Sequence, residues 1–83
     1  MTPTSIADIE RRIADFIGAE LSRSPDELDV DVNFGAFGLG SRSAVSLIGA
    51  LEDALGVELS PVLVFENETI EKLAAVVGRQ MGL

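Results

Sequence analysis

The spacing of apolar residues constrains the fold of this chain more than any other feature of its sequence. In three stretches, apolar side chains recur every three or four residues, the spacing of one face of an α-helix. No window alternates apolar and polar residues convincingly, as a half-buried β-strand would. The sequence therefore predicts an all-α fold, and 83 residues are enough for one small domain only.

Two long helices are predicted in the first two thirds of the chain. The first covers residues 5–21 and starts at Ser5, three residues before Asp8, in a weak relative of the capping box. The second starts at about Ser41 or Arg42, ends at Leu55 and is followed by Gly56. Glycine suits the left-handed conformation that commonly follows a helix, so Gly56 marks a clear end.

A long connection and two further helices complete the predicted fold. Residues 22–40 form the connection, and loops of this length inside a small domain are often functional. A short helix is expected over about 61–66, after a Ser-Pro pair typical of helix starts, and a last main helix over about 70–80. The connection carries apolar residues that we expect to anchor it to the core: Val30, Val32, Phe34 and Phe37.

The composition excludes several classes of function and location. A formal net charge of −8 opposes binding to nucleic acid or to an anionic membrane, because phosphate binding needs Lys and Arg. No apolar run approaches the roughly 18 residues of a membrane span, and the N-terminus lacks the features of a signal peptide. We therefore expect a cytoplasmic protein. Cys and His are both absent, which removes thiol nucleophiles, the commonest metal ligand and the usual general base, and we expect no metal site.

The most informative residue is Ser41, where a glycine-rich loop becomes a helix. Two interpretations follow from the residues alone. Ser41 either caps the helix by accepting a backbone N–H bond, or displays a hydroxyl for modification near the positive end of the helix. A hydrolase is disfavoured, because the Gly-x-Ser-x-Gly elbow and a His base are both missing.

Three segments resemble the acyl carrier protein family. Residues 37–45, Phe-Gly-Leu-Gly-Ser-Arg-Ser-Ala-Val, resemble the family's Leu-Gly-hydrophobic-Asp-Ser-Leu-x-Ala-Val core. Residues 55–59 (Leu-Gly-Val-Glu-Leu) and the run over 62–74 are similar to the blocks that follow it, particularly in polyketide-synthase carriers. The resemblance implies an acyl-carrier-like four-helix bundle with a short third helix, formed by residues 1–83 as a single acyl carrier domain.

The resemblance also implies a function. A phosphopantetheinyl transferase would move 4′-phosphopantetheine from coenzyme A onto Ser41, and the thiol of that group would hold acyl intermediates as thioesters. The carrier, a monomer with no catalytic residues, would deliver them to enzymes of polyketide or lipid biosynthesis. Its partners would be an acyl-loading enzyme (an acyltransferase or an acyl-adenylate ligase) and a ketosynthase or other tailoring enzymes.

Two positions beside Ser41 depart from the family pattern. The preceding residue is commonly Asp and is Gly40 here, while the following residue is commonly apolar and is Arg42 here. We assign both to the attachment site that the resemblance implies. Arg42 is interpreted either as a solvated side chain or as a contact to the phosphate of the attached group or to a partner enzyme.

Carrier proteins of this kind meet partners through the second helix and the loop before it. For Leu47 on this helix, the sequence allows a position in the core as readily as a contact to a partner. Because acidic residues are commoner before and after this helix than at its start, we expect mixed charge around Ser41 and acid at the flanks. The predicted partner contacts are Leu39, Arg42, Leu47, Glu52, Asp53 and Glu66.

Two alternatives to an acyl carrier protein remain open from the sequence. One is a peptidyl carrier domain, which usually has Gly-Gly-His/Asp-Ser before the helix, whereas this chain has no His. The other is an unmodified helical protein-interaction module, in which Ser41 is only a helix cap.

Overall fold

The computed structural model describes residues 4–83 and shows four α-helices. The predicted all-α fold is confirmed, and each helix begins and ends within one residue of its predicted bounds. The long connection is not structureless, since it contains two 3₁₀ turns, Pro25–Glu27 and Phe34–Phe37. Within residues 4–83 no strand forms, although an isolated bridge joins Asn33 to Thr69. The helices are α1 (Ile6–Leu21), α2 (Ser41–Leu55), α3 (Val62–Glu66) and α4 (Ile70–Gln80).

Side-chain caps begin α1 and α4 but not α2. The Ser5 hydroxyl accepts the backbone N–H of Asp8, and the Asp8 carboxylate accepts the N–H of Ser5, both at 3.1 Å. These two bonds complete the predicted capping box. At α4 the Thr69 hydroxyl accepts the N–H of Lys72 at 3.2 Å. The residue before α2 is Gly40, which has no side chain to offer.

A single core, mostly of aliphatic side chains, lies between the helices. α1 packs against both α4 and α2, and its buried stripe recurs at a spacing of four residues. Burying a side chain of this size stabilises the fold by roughly 1.5–3 kcal/mol. The largest fully buried residues are Ile9, Ile13, Ile17, Leu47, Ile48, Leu51, Val64, Ile70, Leu73 and Val77.

The connection between α1 and α2 is held by three buried side chains and by its own backbone. Leu28 and Phe34 are each only 5% exposed, and Leu39 is 9% exposed. The backbone N–H of Phe34 donates to the carbonyl oxygen of Glu68 at 2.8 Å, and that of Glu71 donates to the carbonyl of Val30 at 3.0 Å. The predicted side-chain anchor at Val30 is therefore wrong, because this residue contacts α4 through its backbone while its side chain is exposed.

The end of α1 turns tightly against the connection at Gly18. The Gly18 carbonyl accepts the backbone N–H groups of Ser22 and Arg23, the latter at 2.8 Å. A methyl group added at Gly18 would lie 2.7 Å from the carbonyl oxygen of Arg23. That oxygen belongs to the backbone, so the clash is relieved only if the turn itself moves.

We expect Gly18→Ala to lower the free energy of unfolding by up to about 2 kcal/mol. The usual cost of overpacking, about 1–3 kcal/mol, is partly offset by the preference of helices for alanine over glycine, about 1 kcal/mol. Gly49→Ala is the matched control, because Gly49 lies inside α2 with open space around it and should show a gain instead. Urea unfolding of both variants measures the difference. Equal shifts for the two variants would show that the clash at Gly18 has no consequence.

Candidate functional site

Ser41 is the first residue of α2, and its side chain is exposed. The N-cap position belongs to Gly40, whose backbone is extended (φ −78°, ψ 166°). The interpretation of Ser41 as the helix cap is therefore wrong, since its hydroxyl lies one residue too late to cap the helix. Within residues 4–83, no side-chain or backbone group forms a hydrogen bond with this hydroxyl. It is available for reaction with another molecule.

A tight turn before α2 positions this hydroxyl. Gly38 adopts φ 90°, a left-handed conformation that favours glycine, and so ends the 3₁₀ turn Phe34–Phe37. The backbone N–H of Leu39 then donates to the carbonyl oxygen of Phe34 at 3.2 Å. The Leu39 side chain is only 9% exposed and packs into the core. The predicted partner contact at Leu39 is wrong, because this side chain anchors the turn instead.

A cavity of about 180 Å³ opens beside Ser41. Its walls come from the connection, from the start of α2 and from α3, so it lies where three elements meet. Apolar side chains provide most of these walls, and Asn33 and Glu68 add polar groups. A group joined to the Ser41 hydroxyl would therefore begin next to an apolar cavity. The apolar side chains are Phe34, Leu39, Ala44, Val64 and Phe65.

Three charged residues predicted to meet partners are exposed. Arg42 follows Ser41 in the first turn of α2, Asp53 lies near the end of the same helix, and Glu66 ends α3. No residue within 4–83 forms an ion pair with any of them; the ion pair present there joins Arg11 to Asp15 on α1. All three side chains are thus available to a partner protein.

Two further predicted partner contacts have structural roles. Leu47 is fully buried, because its position on α2 faces the cleft toward α1; the interpretation of Leu47 as a core residue is confirmed and that as a partner contact is wrong. Glu52 is half-buried, and its carboxylate oxygen Oε2 accepts the backbone N–H of Leu59 at 2.8 Å. This bond ties the end of α2 to the segment before α3, so Glu52 is already engaged within the chain.

Sequence reasoning missed three exposed apolar side chains near the site. Val45 on α2 is 44% exposed, and Val62 and Phe65 on α3 are 51% and 48% exposed. For α3 a signal was present, since a helix of five residues cannot bury four consecutive apolar side chains on one face. Only Leu63 and Val64 of that run are buried.

The part of the chain that the structure describes contains no cluster of three or more His, Cys, Asp or Glu residues arranged to hold a metal ion. No helix in residues 4–83 is long and apolar enough to cross a membrane. The groups that make up the site are the Ser41 hydroxyl, the exposed side chain of Arg42 and the apolar cavity.

Comparison of the sequence with protein-family models identifies the family of this site. Residues 11–77 match the model of the phosphopantetheine attachment site family, a span that includes Ser41, α2, α3 and most of α4. Carrier domains of this family are generally non-catalytic. In polyketide synthases they interact with ketosynthases, acyltransferases and phosphopantetheinyl transferases.

Several sequence relatives are polyketide synthases. A phenolphthiocerol/phthiocerol polyketide synthase of Mycobacterium tuberculosis is 38% identical over 69 residues, which cover 83% of this chain and 4% of that protein. Polyketide synthase ThaG of Burkholderia thailandensis is 32% identical over 83 residues, covering 96% of this chain and 2% of that protein. The chain thus spans only a few per cent of the length of these relatives.

Solved carrier proteins share the fold. A free-standing peptidyl carrier protein from Acinetobacter baumannii superposes with a TM-score of 0.86 at 31% identity, covering 93% of this chain and 96% of that one. Asl1650, an acyl carrier protein of Anabaena sp. PCC 7120 with a variant phosphopantetheinylation-site sequence, gives a TM-score of 0.85 at 38% identity, covering 96% of this chain and 91% of that one. The chain therefore belongs to the acyl carrier protein family, whose members carry a covalently attached 4′-phosphopantetheine group.

Proposed function

We propose that Ser41 is the residue to which 4′-phosphopantetheine is attached, through a phosphodiester on its hydroxyl oxygen. The observation that carries the proposal is the exposed hydroxyl without a hydrogen-bond partner at the first position of α2. Ser41 also lies inside the matched span and at the serine of the motif that resembles the family's attachment sequence. The attached group supplies a terminal thiol that holds acyl groups as thioesters.

The residues around Ser41 fit a phosphate group. The first backbone N–H groups of a helix have no partner within the helix and carry partial positive charge, so they favour a nearby anion. At α2 no side chain caps these groups, because the N-cap is Gly40. Arg42 adds an exposed positive charge in the same turn. Gly40 has open space around it, so nothing obstructs the approach of a bulky group from that side.

The role of the chain follows from attachment at Ser41. Residues 1–83 act as a single carrier domain that catalyses no reaction and, as a monomer, carries acyl intermediates of polyketide or related lipid biosynthesis. The polyketide synthases among its relatives support this assignment. Its partners are a phosphopantetheinyl transferase, an acyl-loading enzyme (acyltransferase or acyl-adenylate ligase) and a ketosynthase or other tailoring enzymes. Since attachment draws on coenzyme A, the proposed location is the cytoplasm.

Partner enzymes are proposed to dock on the exposed residues of α2 and α3. Of the contacts predicted from the sequence, Arg42, Asp53 and Glu66 remain, and the exposed Val45 and Phe65 join them. Apolar side chains that are exposed at the centre of a surface commonly provide the contact area of an interface, while charges at its rim guide association.

A peptidyl carrier remains a second candidate, because the Acinetobacter peptidyl carrier shares the fold at 31% identity. The fold does not discriminate between the two kinds of cargo, since the acyl carrier from Anabaena superposes equally well. The relatives favour the acyl carrier, because they are polyketide synthases.

The test is intact mass spectrometry after incubation with coenzyme A and a broad-specificity phosphopantetheinyl transferase. The expected result is addition of one phosphopantetheine group, which peptide mapping then locates at Ser41. An unchanged mass, with a known carrier protein modified in the same mixture, would support the unmodified interaction module instead. Turnover of an activated ester by the unmodified protein would contradict the absence of catalysis.

A separate prediction concerns Arg42. We expect Arg42→Leu to reduce the kcat/KM of phosphopantetheine transfer by about 2- to 5-fold, the size of effect typical of an exposed charge pair. Arg12→Leu is the control, because Arg12 is also exposed but lies on α1, and both variants remove one positive charge. Kinetics for the two variants at the same salt concentration measure the difference. If both variants slow transfer equally, net charge and not the position of Arg42 is responsible.

A further inference from the structure

A single hydrogen bond joins the end of α1 to the start of α2. The hydroxyl of Ser43 donates to the carboxylate oxygen Oε1 of Glu20 at 2.7 Å, a short distance typical of a bond to a charged acceptor. The two residues are 23 positions apart in sequence. Among residues 4–83 this is the only hydrogen bond between two side chains that joins separate elements.

The start of α2 lacks the groups that usually stabilise a helix N-terminus. Its N-cap is Gly40, its first turn contains no acidic residue, and that turn carries the positive charge of Arg42. Negative charge stabilises the first turn of a helix, and positive charge opposes it. Through Ser43, the third residue of α2, Glu20 supplies a carboxylate to this turn from another helix.

Glu20 is also poorly placed for its own helix. It lies in the last turn of α1, which has no basic residue, and a negative charge is unfavourable at a helix C-terminus. The carboxylate thus opposes the dipole of α1 and favours that of α2. The Glu20 carboxylate therefore stabilises the first turn of α2 rather than its own helix.

We propose that Glu20 and Ser43 are positioning residues for Ser41: their hydrogen bond holds the first turn of α2 against α1 and so presents the Ser41 hydroxyl to the transferase. Ser41 lies two residues before Ser43, in the same turn. Loss of the bond leaves a turn with no capping side chain and no acidic neighbour, and its backbone opens more often. This inference rests on the proposed attachment at Ser41.

The test uses Glu20→Ala, Ser43→Ala and the double variant, with Ser43→Thr as the variant that keeps the hydroxyl. Each single alanine variant is expected to reduce the kcat/KM of phosphopantetheine transfer by about 3- to 10-fold, as for a charged hydrogen bond that is partly exposed. Ser43→Thr should stay within about twofold of the wild type, because threonine can donate the same bond. Glu10→Ala is the matched control, since it removes the same charge from the same helix.

Two readouts separate positioning from other roles. If Glu20 acts through Ser43, its replacement has no further effect in the Ser43→Ala background; a direct charge effect on the transferase would persist there at full size and would overturn the proposal. Amide hydrogen exchange of Ala44, whose backbone N–H donates to the carbonyl oxygen of Gly40 at 2.9 Å and so closes the first turn of α2, should be faster in both single variants of the unmodified protein, with exchange in α4 unchanged. Wild-type exchange rates in the single variants would also overturn it. Because exchange needs no transferase, this measurement decides whether the hydrogen bond holds the first turn of α2 even if modification at Ser41 fails.

Discussion

The Ser41→Ala variant is expected to remain folded and to gain no mass when it is incubated with coenzyme A and a phosphopantetheinyl transferase. The substitution removes a hydroxyl that forms no hydrogen bond within the described residues, so the free energy of unfolding should change by no more than about 0.5 kcal/mol. Loss of modification would therefore be complete while the fold is intact. Intact mass and urea unfolding together measure both effects.

The matched control for this variant is Ser46→Ala. Ser46 is an exposed serine on the same helix, five residues further along, and its replacement should leave full modification. Ser41→Ala protein that still gains the mass would place the attachment on another hydroxyl. Loss of modification in both variants would indicate that the helix surface as a whole, and not one oxygen, is recognised.

The Leu47→Ala variant is expected to lower the free energy of unfolding by about 2–5 kcal/mol. Leu47 is fully buried between α1 and α2, and its truncation leaves a cavity in addition to the lost burial of apolar surface. For a chain of this length the total stability is of the order of 4–12 kcal/mol, so the loss is a large share of it. Urea unfolding at a fixed temperature measures the change.

Val45→Ala provides the comparison, because Val45 lies two residues earlier on the same helix and is 44% exposed. Its truncation should change the stability by about 0.5 kcal/mol or less. Its larger effect is expected on the affinity of the partner enzymes that we propose to dock on α2. Equal destabilisation by the two variants would contradict the assignment of Leu47 to the core and Val45 to the surface.

The helices could be predicted because their signals are local. The capping box at Ser5, the glycine after α2 and the Ser-Pro pair before α3 are each contained within a few residues, and the apolar spacing lies within each helix. The position of Ser41 at the start of α2 follows from the same signals. These local signals could not decide whether Ser41 or Gly40 is the N-cap of α2. Serine and glycine are both accepted at an N-cap, and the two assignments differ by one residue.

Burial was harder to predict because it depends on neighbouring elements. Val45 and Leu47 are both apolar residues of α2, and only the packing of α1 against that helix decides which one is covered. Likewise, the sequence gives no sign that Glu52 reaches across a turn to the backbone N–H of Leu59. An acidic side chain on the helix that we propose as a docking surface would be expected to be free, and the hydrogen bond shows that Glu52 is not.

The attachment of the long connection to α4 has a consequence for how this surface can change. The connection makes two hydrogen bonds to the segment Glu68–Glu71, through backbone atoms of Val30 and Phe34, and its buried side chains are those of Leu28, Phe34 and Leu39. The exposed side chains of Asp29 and Asp31 therefore contribute little to holding the loop in place. Substitution at these two positions can therefore change the surface charge of the loop without a corresponding loss of folding stability.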